Sequence, residues 1–232
     1  MEDYNNEIQV ELQEFMGSDR AIADAAWTSS SELITKQAKT VEDVSKIVHM
    51  LADLKHSVPF ESVVFRFWIK LPIALDRQHM THRIASHSGM SGRYRTMPST
   101  FLSMPDDVSS ILDKVHNSGL LQNEYSELCT KANNWYQSTM ANTKSARDNG
   151  KIDNAQYKRA REFLRGVLPQ HNMTERVTVM NLRSFSNYYK LRAKADAQPE
   201  IQFIARKMFQ CIVEKDVCPI AFESLDKNDW II

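Results

Sequence analysis

Glycine and proline are scarce in this 232-residue chain, six and seven residues respectively, and no tract of either interrupts it. That excludes a collagen-like repeat and a Pro/Gly-rich linker of the kind that separates domains. Cysteine is rarer still. Cys129, Cys211 and Cys218 are too few and too dispersed for a disulfide framework or a closed zinc site. No run approaches the roughly 20 apolar residues needed to span a bilayer, and the opening Met1-Glu2-Asp3-Tyr4 is acidic and polar, unlike a secretory signal. An excess of charge of either sign is also missing. Lys plus Arg and Asp plus Glu both number 29, which argues against duplex nucleic acid as partner, because affinity there comes from neutralising many phosphates. A small anion gripped by a few placed arginines stays open. The expectation is a reduced, soluble, cytoplasmic chain with neither membrane nor nucleic-acid partner.

What is present is ordinary globular composition, 42% hydrophobic and 25% charged, with no internal repeat, so one continuous domain over 1–232 is the economical expectation. Thr40 to Lys55 reads as an amphipathic helix: Thr40 caps it, Asp43 completes a capping box, and Val41, Val44, Ile47, Val48, Leu51 and Leu54 form one stripe. After Pro59, Phe60 to Leu71 reads as a strand, with Val63, Phe65, Phe67 and Ile69 alternating against Val64, Arg66, Trp68 and Lys70. Pro72 suits the first turn of a helix reaching about Ser86, followed by a loop punctuated by Gly89 and Gly92 and an irregular Met97 to Pro105. Further helices are expected over Val108 to Asn117, Asn123 to Ala146, Asn154 to Gly166, Leu182 to Ala195 and Glu200 to Glu214, with a short strand at Thr174 to Met180. Many helices and few strands, not in alternation, point to an α+β fold.

Two polar clusters interrupt this pattern. Arg77, Gln78, His79, Thr81, His82, Arg83, Ser86, His87, Ser88, Ser91, Arg93, Tyr94 and Arg95 run from the end of a helix into a glycine-containing loop. Arginine forks and approachable backbone amides suit phosphate and carbonyl recognition; a solvated helix face is the plain alternative. His79 and His82 lie one turn apart, but no carboxylate or thiolate joins them at ligand spacing, so no metal is expected. The second cluster is Arg165, Asn181, Arg183, Asn187 and Arg192. Arg183 and Asn187 share a helix face, while Arg192 points elsewhere.

Taken in order, these segments resemble the flavin-dependent thymidylate synthases over about Met16 to Phe222. That family carries Arg-His-Arg with a serine eight positions after the last arginine; here the stretch is Thr81-His82-Arg83-Ile84-Ala85-Ser86-His87-Ser88-Gly89-Met90-Ser91-Gly92-Arg93-Tyr94. Val58-Pro59-Phe60-Glu61, Arg77-Gln78, Arg165-Gly166-Val167-Leu168-Pro169, Asn181-x-Arg183-Ser184, Asn187, Leu191-Arg192, Ala197-Gln198-x-Glu200-Ile201 and Cys218-Pro219 with Phe222 match in order and spacing. The resemblance implies helices packed on a small mixed or antiparallel sheet, a homotetramer with shared active sites, and methylation of dUMP at C5 using FAD, NADPH and 5,10-methylenetetrahydrofolate. It implies that Gln78, Ser91, Gly92, Arg93, Arg165 and Arg192 hold the nucleotide, with Arg192 and Ser91 the catalytic pair. Ser29, His82, Arg83, Asn181, Arg183 and Asn187 are its implied FAD residues.

Four departures stand out: Thr81 for the first arginine of the triplet, Ser88-Gly89 for an Asn-Glu pair, Val58 for a flavin-side threonine, and Asp196 for a histidine. Loss of one cation with one anion reads as a balanced swap. The departures also keep in view the same fold acting on UMP or a cytosine nucleotide, or yielding a hydroxymethyl product. A non-catalytic nucleotide-binding relative is more remote, because the ligand arginines are retained.

Overall fold

The computed structural model describes residues 4, 7–29, 38–116 and 119–230. Four strands form one small antiparallel sheet in the order β1-β2-β4-β3, where β1 is Gln9–Met16, β2 Val64–Pro72, β3 Ser86–Gly89 and β4 Met173–Asn181. The helices are α1 (Asp19–Trp27), α2 (Val41–Asp53), α3 (Ile73–His79), α4 (Asp106–His116), α5 (Leu121–Asp148), α6 (Asn154–Leu164), α7 (Leu182–Arg192), α8 (Pro199–Glu214) and α9 (Pro219–Lys227). The α+β class is as expected.

The chain gathers into two compact units, and β2 and β4 contribute residues to both. The first unit contains Lys70–Arg77 and Gly89–Arg176. Its core is Met97, Tyr136, Met140, Tyr157, Leu164 and Leu168, and beside it Asn133 and Asn172 satisfy each other's buried amides reciprocally, at 2.7 and 3.0 Å. The second contains Gln9–Ile69, Gln78–Ser88 and Val177–Ile232. There Phe65, Phe67, Phe185, Tyr189, Phe209 and Phe222 pack edge-to-face, tilted and, for Phe67 with Phe185, stacked, with centroids 5.1–6.4 Å apart. Each fully buried ring of this kind contributes about 1.5–3 kcal/mol, and together they seat α7 behind β2.

Local chemistry sets most of the boundaries. The Thr40–Asp43 capping box starts α2 as the sequence indicates, although Val41 and Leu54 of the expected stripe are exposed. Alternation in β2 is realised: Phe65, Phe67 and Ile69 are buried, and the intervening residues are half-buried. Phe60, expected as the strand's first residue, lies instead in a 3-10 turn over Val58–Ser62 that begins with Pro59 at its first positions. The expected helix from Pro72 to Ser86 is shorter. α3 ends at His79, where the Thr81 hydroxyl donates to the Gln78 carbonyl at 2.7 Å and tightens the last turn. Ser86–Gly89, expected as loop, pairs as β3 with the edge of β4. α7 stops at Arg192, three residues before the expected end, and Gly166 belongs to a 3-10 turn beyond α6. β1, α1 and α9 are additions to the expected elements. Asn117 lies outside the described residues.

Candidate active site

In the second unit the polar residues collect around α7. Asn181 caps it, its Oδ1 accepting the Ser184 amide at 2.8 Å. Two residues on, Arg183 donates to Glu61 at 2.6 Å across a half-exposed ion pair, tying the Val58–Ser62 turn to the helix start. Asn187 lies on the same outward side, exposed. At the far end Arg192 Nη2 donates to the Gln78 carbonyl at 3.2 Å and the Thr81 hydroxyl oxygen at 3.0 Å. The C-terminal turn of a helix favours a cation, and these two acceptors fix where the guanidinium sits. Gln78, Thr81 and Arg192, distant in sequence, therefore form one group. His82 belongs to the same unit, half-buried with Nε2 2.8 Å from Ser184 Oγ; Arg83 is exposed.

In the first unit Ser91, Gly92, Arg93 and Arg165 come together. Gly92 is buried, and a Cβ there would lie 3.0 Å from Arg165 Cδ, so the missing side chain lets Arg165 cross the backbone. The Ser91 carbonyl accepts the amides of Tyr94 and Arg95, and its hydroxyl accepts the Arg93 amide at 3.3 Å, forming a tight turn. Arg93 pairs with Glu162 at 3.0 Å and stays exposed. Two arginines beside a glycine-bearing turn suit an oxyanion.

Each departure from the family pattern has its own local neighbour. Thr81 meets the Arg192 guanidinium, as above. Gly89 meets a different one: a Cβ at this position would lie 2.9 Å from Nη2 of Arg176. Arg176 in turn forms a buried two-point pair with Asp76. Thr81 and Gly89 fall in different units with different partners, so the reading of one balanced swap is replaced by two separate local arrangements. Val58 is exposed on the first turn of the 3-10 segment. Asp196 pairs with Lys194 at 3.0 Å on the surface after α7.

Among the described residues no group of three or more His, Cys, Asp or Glu is placed to hold a metal ion, and both ring nitrogens of His79 are hydrogen-bonded, to Tyr188 and Thr178. Burial raises all three cysteine thiols above their ordinary range, the reverse of what a nucleophilic thiolate requires.

Burial holds the His82 imidazole below its ordinary value of 6.5; Arg192 and His87 push the same way, and the hydrogen bond His82 donates to Ser184 opposes them. A depressed histidine contributes stability that is intact above its unfolded value and is lost as pH falls through the folded one. The unfolding midpoint of the FAD-free protein is therefore expected to fall as pH drops below about 6.5, the ordinary value of the group. His82→Gln should flatten that part of the curve; an unaltered slope in the variant would assign it to another group.

Ser29 and Val58 line one cavity of about 610 Å³ in the second unit, together with Trp27, Met50, Lys55 and His56. Its size falls within the range of ligand sites, about 300–1,000 Å³, and its apolar walls with one ammonium and one imidazole suit an aromatic ring system bearing phosphate. Lys55 and His56 escape sequence reasoning, because nothing in their sequence neighbourhood marks them; only the packing of α1 against α2 brings them to Ser29. Glu61 is visible within its motif, but its pairing with Arg183 is not.

A family model described as thymidylate synthase complementing protein matches residues 11–220. A flavin-dependent thymidylate synthase of Kosmotoga olearia is 33% identical over 93% of this chain and 88% of its own length; one from Thermus thermophilus is 31% identical over 94% and 76%. Among solved structures, a UMP/dUMP methylase PolB from Streptomyces cacaoi bound with 5-Br dUMP superposes with a TM-score of 0.69, covering 97% of each chain at 21% identity, a likeness of fold. No helix among the described residues is long and apolar enough to cross a membrane.

Proposed function

We propose that this chain, which belongs to the flavin-dependent thymidylate synthase family of FAD-dependent methyltransferases, methylates dUMP at C5 to give dTMP. The observation that carries the reading is the Arg192 guanidinium, held at the end of α7 by the Gln78 carbonyl and the Thr81 hydroxyl. A guanidinium keeps its charge at any working pH, so it stabilises negative charge developing on a pyrimidine ring without giving up a proton. Gln78 offers an amide for the base edge. Arg93, Arg165 and the backbone around Ser91 and Gly92 supply donors for the phosphate.

The family uses FAD, NADPH and methylenetetrahydrofolate. The cavity beside Ser29 and Val58 fits the flavin nucleotide in size and lining, and His82, Arg83, Asn181, Arg183 and Asn187 complete the set that would hold it. When bound, that cofactor supplies the reducing equivalents that turn the transferred carbon into a methyl group. The chain's own contribution is binding, orientation and a fixed positive charge. We assign the whole of 1–232 to one functional domain, acting in the cytoplasm as a homotetramer whose sites draw on more than one copy.

Thr81 and Gly89 favour a second reading, the same chemistry on UMP or a cytosine nucleotide, or release of a hydroxymethyl product, because both positions lack the charges of the family pattern. The test is incubation of the purified yellow protein with methylenetetrahydrofolate and NADPH plus dUMP, UMP or dCMP in turn, with mass spectrometry of the nucleotide. A methyl mass gain on dUMP alone is the expected result. Gain on UMP or dCMP, or a hydroxymethyl mass, selects the second reading, and a colourless protein that takes up no added FAD removes both.

A further inference from the structure

Between α3, β3, β4 and α7 lies a chain of side-chain hydrogen bonds that no ligand role uses. Tyr188 Oη is 2.8 Å from His79 Nδ1; His79 Nε2 is 2.9 Å from Thr178 Oγ1; Thr178 Oγ1 is 3.1 Å from His87 Nδ1; and His87 Nε2 is 3.2 Å from the His82 carbonyl oxygen. His79, Thr178 and Tyr188 are completely buried. A short branch runs beside it, from His82 Nε2 to Ser184 Oγ at 2.8 Å and from the Ser184 hydroxyl to the Ile84 carbonyl.

The two carbonyls dictate the direction of every bond, because a carbonyl oxygen only accepts. His87 Nε2 must carry a hydrogen, which leaves Nδ1 of the neutral ring as an acceptor and makes the Thr178 hydroxyl its donor. Thr178 Oγ1 then accepts from His79 Nε2–H, and His79 Nδ1 accepts from the Tyr188 hydroxyl. On the branch, Ser184 gives its hydrogen to Ile84, so His82 Nε2 is the donor to Ser184. For neutral rings these directions give the Nε2–H tautomer at all three imidazoles, and each described member has its partners. The chain begins on the buried α7 ring and ends on two carbonyls of the 82–87 turn.

We propose that His79, Thr178, His87 and Tyr188 are positioning residues that act as a one-way hydrogen-bonded clamp, holding the 82–87 turn in the conformation that binds the flavin nucleotide. The inference rests on the reading of His82 and Arg83 as cofactor residues. Thr178 is the central link, because its single hydroxyl both accepts from His79 and donates to His87. A methyl group of the same shape breaks both bonds and leaves the buried His79 donor and the half-buried His87 acceptor unmet, the first costly in a dry interior. Serine keeps the hydroxyl and so keeps the clamp. Burial, and after it Arg192, favours the neutral His82 imidazole; burial likewise keeps the Tyr188 hydroxyl protonated, against the opposing pull of Arg192.

The experiment compares Thr178→Val, Thr178→Ser and the unaltered chain in two readouts. One is the FAD dissociation constant from flavin fluorescence; the other is amide hydrogen exchange of peptides covering residues 80–88 without flavin. Thr178→Val is expected to weaken FAD binding about tenfold or more and to speed exchange in this turn, and Thr178→Ser to stay within about twofold of the unaltered chain in both. Thr178→Val with unaltered FAD affinity, or Thr178→Ser as impaired as valine, would overturn the clamp. If the unaltered chain binds no FAD, the cofactor reading fails separately; unaltered exchange in Thr178→Val would then overturn the clamp by itself. Should the valine variant not fold, nitrogen-15 histidine spectra of the unaltered chain decide the matter, since an Nδ1–H tautomer or an imidazolium at His79 or His87 near neutral pH contradicts the derived bond directions.

Discussion

Arg192→Ala is expected to yield a protein that still holds FAD but turns over nucleotide about a hundredfold more slowly or worse. A charge-assisted hydrogen bond contributes about 1.5–3 kcal/mol, and one that strengthens as charge develops in the transition state reaches about 10²–10³ in rate. Loss of the side chain removes one donor each from the Gln78 carbonyl, which keeps the Thr81 hydroxyl, and from the Thr81 hydroxyl oxygen. Both lie at a solvent-accessible turn, so water replaces the lost donor and the fold should hold. The check is steady-state turnover beside flavin absorbance of the same preparation. Retained activity would remove Arg192 from the reaction; loss of flavin together with activity would move it to the cofactor set. Thr81→Arg acts on the same guanidinium from the other side. It removes an acceptor and brings a second positive charge within contact of the first, so restoring the family's residue here should lower activity.

Asp76→Ala should produce the largest loss of stability of any single change considered. The Asp76 and Arg176 side chains are 12% and 10% exposed, and removing one partner of a buried ion pair costs about 3–5 kcal/mol, because the other charge remains in the interior. For a chain of this size that corresponds to a fall of about 10 °C in unfolding midpoint. Gly89 makes the site stricter: any side chain there starts 2.9 Å from Arg176 Nη2 and must push the guanidinium off its carboxylate. Gly89→Glu, the other restoration of the family pattern, is therefore expected to destabilise as well, though less, since the new carboxylate can itself accept from Arg176. Replacing the pair together, Asp76→Leu with Arg176→Met, should recover most of the loss. Calorimetry of the flavin-free variants measures all of this. A double variant as unstable as Asp76→Ala would show that the pair matters for something other than charge compensation.

Several elements were legible directly from the residues. The Thr40–Asp43 box and the 3.6-residue stripe of α2, the period-two alternation of β2, and the short β4 are local signals, each complete within a few residues of chain, and they recur in the structure. So is the fixed order of arginines, asparagines and a glycine-bearing turn, whose resemblance to one family is matched by the family model over 11–220.

Tertiary structure decided the rest, because the deciding partner lies far away in sequence. β3 reads Ser-His-Ser-Gly, with no apolar alternation; it is a strand only because the edge of β4 offers it hydrogen bonds. α3 could have continued past His79 on propensity, and it stops where Thr81 turns to the Gln78 carbonyl and the chain leaves to pair with β4. Asp76 and Arg176 stand 100 residues apart and His79 and Tyr188 stand 109 apart, separations over which no periodicity carries information. A lone acidic residue in α3 and a lone histidine at its end look like solvated surface in the sequence. Buried, each must have a partner, since an unmet charge or imidazole nitrogen in the interior is strongly destabilising, and it is this requirement, imposed only once the elements pack, that selected Arg176 for one and the Tyr188–Thr178 chain for the other.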